Sequence, residues 1–172
     1  MPSEPTILTA LQSLAKAREF HPILLLVCEA LEKAGYGKTR ILGRRTFSQK
    51  SLVKGAEILV EGTYAGKPHL MVVKFVNDDV RQRNFDELFG VTERLGANLG
   101  ILVSLRDSHE GFMKAPAYRL RLKLLDGTRL AEFLTDHQVG VFPSGHPNHR
   151  RIYEVRETAR KIDSILEALQ NP

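Results

Sequence analysis

Lys74 is a charged side chain inside an almost wholly apolar stretch, residues 69–76, which makes it the first candidate for chemistry. The preceding stretch, residues 56–64, carries Glu57, and four turn-forming residues, 65–68, join the two. If both stretches are strands, they form a hairpin that brings Glu57 and Lys74 close together. Carboxylates are ligands for Mg²⁺, and a neighbouring lysine can position or activate the attacking water in metal-dependent hydrolysis.

The same two residues also have a purely structural interpretation. A lysine in an apolar strand is costly unless its ammonium is paired or reaches solvent, so an ion pair between Lys74 and Glu57 is the favoured interpretation. In a magnesium-dependent nuclease, a second carboxylate two residues before the lysine helps to hold the metal, and that position is Val72 here. Valine offers no ligand atom.

The elements that must position these residues follow from the hydrophobic patterning. It predicts helices over 3–18, 22–34, 80–95 and 151–169, a short helical piece around 108–115, a helix capped by Thr128 through Leu134, and strands over 56–64, 69–76, 100–104 and 119–124. Ser3 is the expected cap of the first helix, and Gly35 is the expected stop of the second. A helix between two strands predicts a crossover with parallel pairing. The basic stretch 36–54 is expected to include a loop, and the Gly, Pro and His-rich stretch 136–150 is expected to form one.

Composition favours one soluble α/β domain. The chain has 172 residues, of which 42% are hydrophobic and 26% charged, and its net charge is +5. No apolar run approaches the ~20 residues of a membrane helix, and the start of the chain lacks a signal-peptide pattern. The lone cysteine, Cys28, lies in an apolar run and is predicted to be a packed core thiol. We therefore expect a cytoplasmic protein with no membrane partner.

Several segments from about Phe20 to Leu134 resemble the Mrr-type family of restriction-endonuclease-like domains. They are Leu31-Glu32-Lys33-Ala34-Gly35-Tyr36, Gly55-Ala56-Glu57-Ile58-Leu59-Val60, Val72-Val73-Lys74, Phe85-Asp86-Glu87-Leu88, Gly96-Ala97-Asn98-Leu99-Gly100-Ile101-Leu102-Val103-Ser104, Gly111-Phe112 and Leu122-Lys123-Leu124-Leu125-Asp126-Gly127. The resemblance implies a three-layer fold over residues 20–135, with a central mixed sheet flanked by helices. The N-terminal helix (1–19), the loop 136–150 and a C-terminal amphipathic helix (151–172) are additions that pack on the domain or on a partner. In active members the resemblance implies metal-dependent cleavage of DNA.

The catalytic positions depart from the family pattern. The family has an aspartate where this chain has Glu57, and a glutamine or glutamate where it has Val72. An acid on the early helix would fall near the apolar residues 23–25, and only Lys74 is unchanged. We expect no cofactor and a catalytically degenerate domain. The alternative is an active Mg²⁺-dependent endonuclease whose metal is held by Glu57 with a relocated acid, either Glu61 or Asp86.

A degenerate domain would act as a binding or assembly module. DNA is one candidate partner, through a basic segment with Arg44, Arg45, Lys50 and Lys54 and through a predicted basic strand face with Arg119, Arg121 and Lys123. Alternating basic residues on an exposed strand can equally serve solubility. A protein partner or a homodimer through the terminal helices is the other candidate, and a scaffold without nucleic-acid contact is the third hypothesis.

Overall fold

The computed structural model describes residues 6–43, 57–108 and 116–170, except for the side chains at positions 41–43, 57, 166 and 170. The helices are α1 (Ile7–Lys16), α2 (His21–Leu31), α3 (Gln82–Arg94), α4 (Pro116–Arg121), α5 (Gly127–Asp136) and α6 (His149–Gln170). The strands are β1 (Arg40–Gly43), β2 (Glu57–Tyr64), β3 (Lys67–Val76), β4 (Leu99–Ser104) and β5 (Leu122–Leu125). One wider π-helical turn, Glu32–Tyr36, follows α2.

The strands form one mixed sheet of five, in the order β1-β2-β3-β4-β5. The pairs β1–β2 and β2–β3 are antiparallel, whereas β3–β4 and β4–β5 are parallel. The predicted hairpin and the predicted parallel crossover through α3 are therefore confirmed. The hairpin turn is tight, because Ala65 and Gly66 both have positive φ, 51° and 76°, the conformation that suits a two-residue turn.

Helices cover both faces of the sheet, so the protein is a three-layer α/β fold, as predicted. One core joins α1, α2, α5 and α6 to one face through residues such as Val73, Phe75 and Ile101. The second core joins α3 to the other face through Val72 and Leu102. Alternate residues of β3 pack into the two cores on opposite faces of the sheet. This is why the strand is almost wholly apolar.

The helix α2 itself ends at Leu31, earlier than predicted. The π-helical turn that follows it is broken at Gly35, the predicted stop, whose φ is 110°, a conformation that glycine adopts without strain. Cys28 is buried as expected, and burial raises the pKa of its thiol to about 12. The thiol therefore stays protonated and unreactive at neutral pH.

Two predicted caps are wrong. The first helix begins at Ile7, where the Thr6 hydroxyl accepts a hydrogen bond from the Thr9 amide, and not at Ser3. The helix predicted to be capped by Thr128 is capped by Asp126, whose carboxylate accepts from the Arg129 amide.

The predicted basic strand over 119–124 is correct only in its second half. Arg119 and Arg121 lie on α4, and Lys123 lies on β5. Leu122 and Leu124 are buried as the alternation predicts, whereas Leu120 on α4 is 82% exposed. A short strand, β1, lies within the stretch 36–54, which was expected to include a loop. The predicted helical piece around 108–115 falls almost entirely outside the described residues.

Candidate functional site

A cleft of about 480 Å³ opens where β3 ends and α3 begins. Its lining comprises Lys74, Val76, Asn77, Asp78, Asp79, Arg81, Arg83, Asn84 and Glu87. In α/β sheets, ligands commonly bind beyond the carboxyl ends of strands, because the loops and helix starts there converge. Lys74 enters this cleft from the sheet, and Glu87 enters it from the helix.

Lys74 is bonded to an acid that the sequence analysis did not select. Its Nζ donates to Glu87 Oε2 over 2.6 Å, and its side chain is only 14% exposed, compared with 56% for Glu87. The hydrogen bond from Lys74 lowers the pKa of the Glu87 carboxyl from its ordinary value, although partial desolvation opposes the shift. Glu87 is therefore ionised at neutral pH and is the counter-charge of Lys74.

Close packing of α3 on the sheet brings these two residues together. Gly100 of β4 lies beneath the helix, and a Cβ atom there would come within 2.8 Å of a Leu122 methyl group and 3.0 Å of Leu88 Cγ. Only glycine therefore allows this separation. With α3 so close, the Glu87 side chain reaches Lys74 directly.

Val72 is part of the core beneath the cleft. It is 1% exposed and belongs to the same hydrophobic cluster as Phe85 and Leu88 of α3. The position that carries a glutamine or glutamate in the resembled family thus holds a buried hydrocarbon. It contributes packing, and it has no oxygen to offer a metal ion.

Glu57 is placed by its backbone alone. In the β2–β3 ladder its Cα pairs with that of Lys74, as the predicted hairpin requires. The Glu57 side chain lies outside the described part of the structure. The predicted ion pair between Glu57 and Lys74 therefore stays a prediction, and the described partner of Lys74 is Glu87.

The two acids proposed as relocated metal ligands contact other residues. Glu61 accepts a hydrogen bond from Arg40 over 3.1 Å. Asp86 accepts from the Tyr118 hydroxyl over 2.5 Å and from the Gln82 amide over 3.0 Å. The bond from Tyr118, followed by that from Gln82, lowers the pKa of Asp86. Asp86 therefore faces α4, and it does not line the cleft.

Two carboxylates of the cleft are paired with basic side chains. Glu87 is bonded to the Lys74 ammonium group, and Asp79 pairs with Arg106 over 2.9 Å. Among the described residues, no group of three or more His, Cys, Asp or Glu side chains could hold a metal ion.

The predicted basic contacts that the structure describes do not share one surface. Arg121 donates to the Ala97 carbonyl over 2.8 Å and lies 3.3 Å from Glu93. Lys123 lies on the other face of the sheet, with its Nζ 4.7 Å from the centre of the Phe133 ring, and burial lowers its pKa. Arg119 is exposed on α4. Arg44, Arg45, Lys50 and Lys54 lie outside the described residues.

The terminal helices pack on the first core, and α6 carries exposed apolar residues near its end. Ile152, Val155 and Ala159 of α6 are buried, whereas Ile165 and Leu169 are 61% and 73% exposed. The last two are the residues on which a protein contact could form. Within the part of the chain that the structure describes, no helix has the length and apolar character needed to cross a membrane.

No protein family, curated protein or solved structure matches this chain.

Proposed function

We propose that this chain is a catalytically degenerate restriction-endonuclease-like domain that binds nucleic acid without cleaving it. One observation carries the proposal: Lys74 is bonded to Glu87 at 2.6 Å above a core in which Val72 occupies the second ligand position. A lysine already neutralised by an exposed carboxylate is a structural cation. Without a second acid at that position, the site lacks one of the carboxylates that would hold a water-activating metal in the family that the sequence resembles.

Charge supports nucleic acid as the partner. The net charge is +5, and phosphate contacts by Lys and Arg supply most of the sequence-independent affinity for DNA. The basic segment begins in the described structure with Lys38 and Arg40, both exposed at the edge of the sheet. It continues along the chain to Arg44, Arg45, Lys50 and Lys54.

The test combines binding and cleavage. We expect the protein to bind a labelled 20-base-pair duplex with an affinity that falls steeply as salt rises, because bound counterions are released. Supercoiled plasmid incubated with Mg²⁺ or Mn²⁺ should remain intact. Alanine at Arg44, Arg45, Lys50 and Lys54 should weaken binding and lower the salt slope by roughly 0.9 for each phosphate that the protein no longer neutralises.

A matched variant controls for net charge. Alanine at Lys16, Arg18, Arg94 and Lys161 also removes four positive charges, but from exposed positions elsewhere in the protein. It should retain most of the affinity. Equal losses in the two quadruple variants would contradict a localised binding segment, and failure to bind duplex at low salt would overturn the proposal.

One observation favours a second candidate, a metal-dependent endonuclease. Glu87 is an acid delivered by α3 to Lys74, beside the cleft that Asp78 and Asp79 also line. If this candidate were correct, plasmid would be nicked with Mn²⁺, and both Lys74→Ala and Glu87→Gln would abolish the nicking. The control Asp86→Asn would leave it intact, because Asp86 faces α4.

The exposed end of α6 favours an assembly role as the third candidate. A contact through Ile165 and Leu169 would give an oligomer whose mass in light scattering rises with concentration. Glutamate at both positions would restore the monomer mass. Such an oligomer without any DNA binding would favour this candidate over the leading one.

A further inference from the structure

Three aromatic rings cluster at the turn end of the β2–β3 hairpin, at the opposite end of the hairpin from Lys74. The ring centres of Tyr36 and Tyr64 are 5.4 Å apart, those of Tyr36 and His69 5.3 Å, and those of Tyr64 and His69 5.8 Å. Each ring therefore contacts the other two. The rings are mutually tilted by 34° to 50°, so their faces are not all used against one another.

Two glycines allow this cluster to form. A Cβ atom at Gly62 would come within 2.6 Å of the Tyr36 carbonyl oxygen, and one at Gly37 would collide with the Thr63 side chain. The turn that follows α2 can therefore lie directly against β2. That approach places the Tyr36 ring beside Tyr64 and His69, which come from the two strands of the hairpin.

The cluster is open to solvent, unlike an ordinary core contact. Tyr64 is 54% exposed, and Tyr36 and His69 are half-buried. Partial burial lowers the pKa of His69 below 6.5, so its ring is uncharged at neutral pH. Three uncharged π-systems thus form one partly exposed surface.

Cations flank the rings. Lys67 pairs with Tyr64 in the strand register, and Lys38 follows Gly37, whose backbone lies against Thr63. Both lysines are exposed. The basic segment described above begins at Lys38, so the rings lie at its start. Aromatic rings with flanking lysines match the bases and phosphates of an unpaired strand.

We propose that Tyr36, Tyr64 and His69 form a stacking site for unpaired bases of single-stranded nucleic acid, with Lys38 and Lys67 contacting the adjacent phosphates. This deepens the proposed function and rests on it for the class of partner. Duplex bases have their faces covered by their neighbours, whereas single-stranded bases can each place a face on a ring. The site should therefore discriminate single strands from duplex, and it should tolerate any base sequence.

Affinity for a labelled 12-nucleotide single strand tests the proposal. Tyr64→Leu should lower this affinity by roughly 5- to 150-fold, the range for loss of one base–aromatic stack. Tyr153→Leu is the matched control, since Tyr153 is 60% exposed on α6, far from the rings in sequence, and it should leave affinity unchanged. Because Tyr64 is exposed, its replacement should preserve the fold, which circular dichroism would verify.

A second ligand distinguishes the contribution of the bases to affinity from that of the phosphates. An abasic strand of the same length keeps the phosphate charges and lacks the bases. The unaltered protein should bind it more weakly than the normal strand, and Tyr64→Leu should bind the two with similar affinity. The chain has no tryptophan and four tyrosines, so stacking should quench tyrosine fluorescence in the unaltered protein and in Tyr153→Leu, and much less in Tyr64→Leu.

Failure of this inference is distinguishable from failure of the proposed function. Duplex and single strand bound equally, with no effect of Tyr64→Leu, would overturn the stacking site and leave phosphate-driven binding in place. Tyr64-dependent binding of single strands alone would support the stacking site and overturn binding to duplex. Failure to bind any nucleic acid would overturn both proposals and leave the rings as hairpin packing.

Discussion

At the scale of single residues, the pairing of Lys74 with Glu87 determines what the cleft can do. Lys74 is mostly buried and Glu87 is mostly exposed, so the charge of Lys74 needs its partner more than the charge of Glu87 does. Removing Glu87 leaves a largely buried ammonium group without its counter-charge, whereas removing Lys74 leaves a carboxylate that water can solvate. The mutational effects on stability should therefore be asymmetric.

We predict that Glu87→Gln lowers the free energy of unfolding by about 0.5–1 kcal/mol, as expected for a partly exposed ion pair. Lys74→Met should be neutral or slightly stabilising, because a hydrophobic side chain of similar length replaces a desolvated charge. Urea unfolding at pH 7 measures both, with Glu132→Gln on exposed α5 surface as the control. A larger loss of unfolding free energy in Lys74→Met than in Glu87→Gln would contradict this explanation.

The same pair predicts a pH dependence. The folded pKa of Glu87 lies below its ordinary value of 4.5, so its ionised form contributes stability that is complete above the unfolded pKa. This contribution is lost as the pH falls below 4.5 and through the lower folded pKa. The stability difference between the unaltered protein and Glu87→Gln should therefore be constant above about pH 6 and disappear in acid. A difference that persisted unchanged to acid pH would rule out this charge contribution.

At the scale of elements, Asp126 is the residue that fixes the start of α5. It is 1% exposed, and its carboxylate accepts from the Arg129 amide over 3.2 Å, the Ser108 amide over 2.9 Å and the Arg129 guanidinium over 2.8 Å. Thr128, the predicted cap, instead donates its hydroxyl to Asp107 over 2.8 Å. Asp126 thus joins the segment after β4 to the start of α5.

Alanine substitution at these two positions separates the roles. Asp126→Ala should lower the free energy of unfolding by about 2–3 kcal/mol, because buried donors lose their acceptor and the helix loses its cap. Thr128→Ala, at an exposed position, should cost less than about 1 kcal/mol. Thermal and urea unfolding would measure the loss of stability in each variant. A larger loss in Thr128→Ala than in Asp126→Ala would identify Thr128 as the cap.

At the scale of the whole molecule, the two ends of the chain close over one face of the sheet. Helix α6 packs on α2, and the contact is extended by the pair of His21 with Asp163 at 2.9 Å. Glu19 accepts hydrogen bonds from both Arg156 and Arg160. The first and last helices are thereby part of one core.

The small size of Ala159 allows this close packing. Ala159 is 1% exposed, so Ala159→Leu should overpack the contact and cost about 1–3 kcal/mol. The same change at exposed Ala168, on the same helix, should have little effect on stability, because alanine and leucine have similar helix propensities. Urea unfolding measures the cost, and amide hydrogen exchange should show weaker protection in α6 and α2. Equal effects at both positions would mean that α6 is not docked as described.

Much of the architecture could be predicted from local patterns. The almost wholly apolar stretch 69–76 predicted a strand, and it lies within β3, the central strand of the sheet. The turn-forming residues predicted the hairpin that pairs Glu57 with Lys74. Prediction missed β1, a short edge strand within a basic stretch, and failed at 119–121, where a strand-like alternation continues into a helix that leaves Leu120 exposed.

The identity of the acid beside Lys74 could not be predicted from helix periodicity. Asp86 and Glu87 are separated by about 100° around α3 and flank the buried stripe of Phe85, Leu88 and Thr92 on opposite sides. Helix periodicity identifies the buried stripe, but it does not distinguish the side of the stripe that carries Asp86 from the side that carries Glu87. Which flank faces β3 depends on how the helix is laid across the sheet.

The sequence by itself indicated the fold class, the β2–β3 hairpin and the absence of a carboxylate at position 72, because hydrophobic alternation and the chemistry of valine are local properties. Only the tertiary structure decided that Glu87 neutralises Lys74 and that Tyr36, Tyr64 and His69 share one surface. Both arrangements join separate segments of the chain. They depend on close approaches, at Gly100 for α3 and at Gly62 for the turn after α2, whose geometry is set by packing between elements.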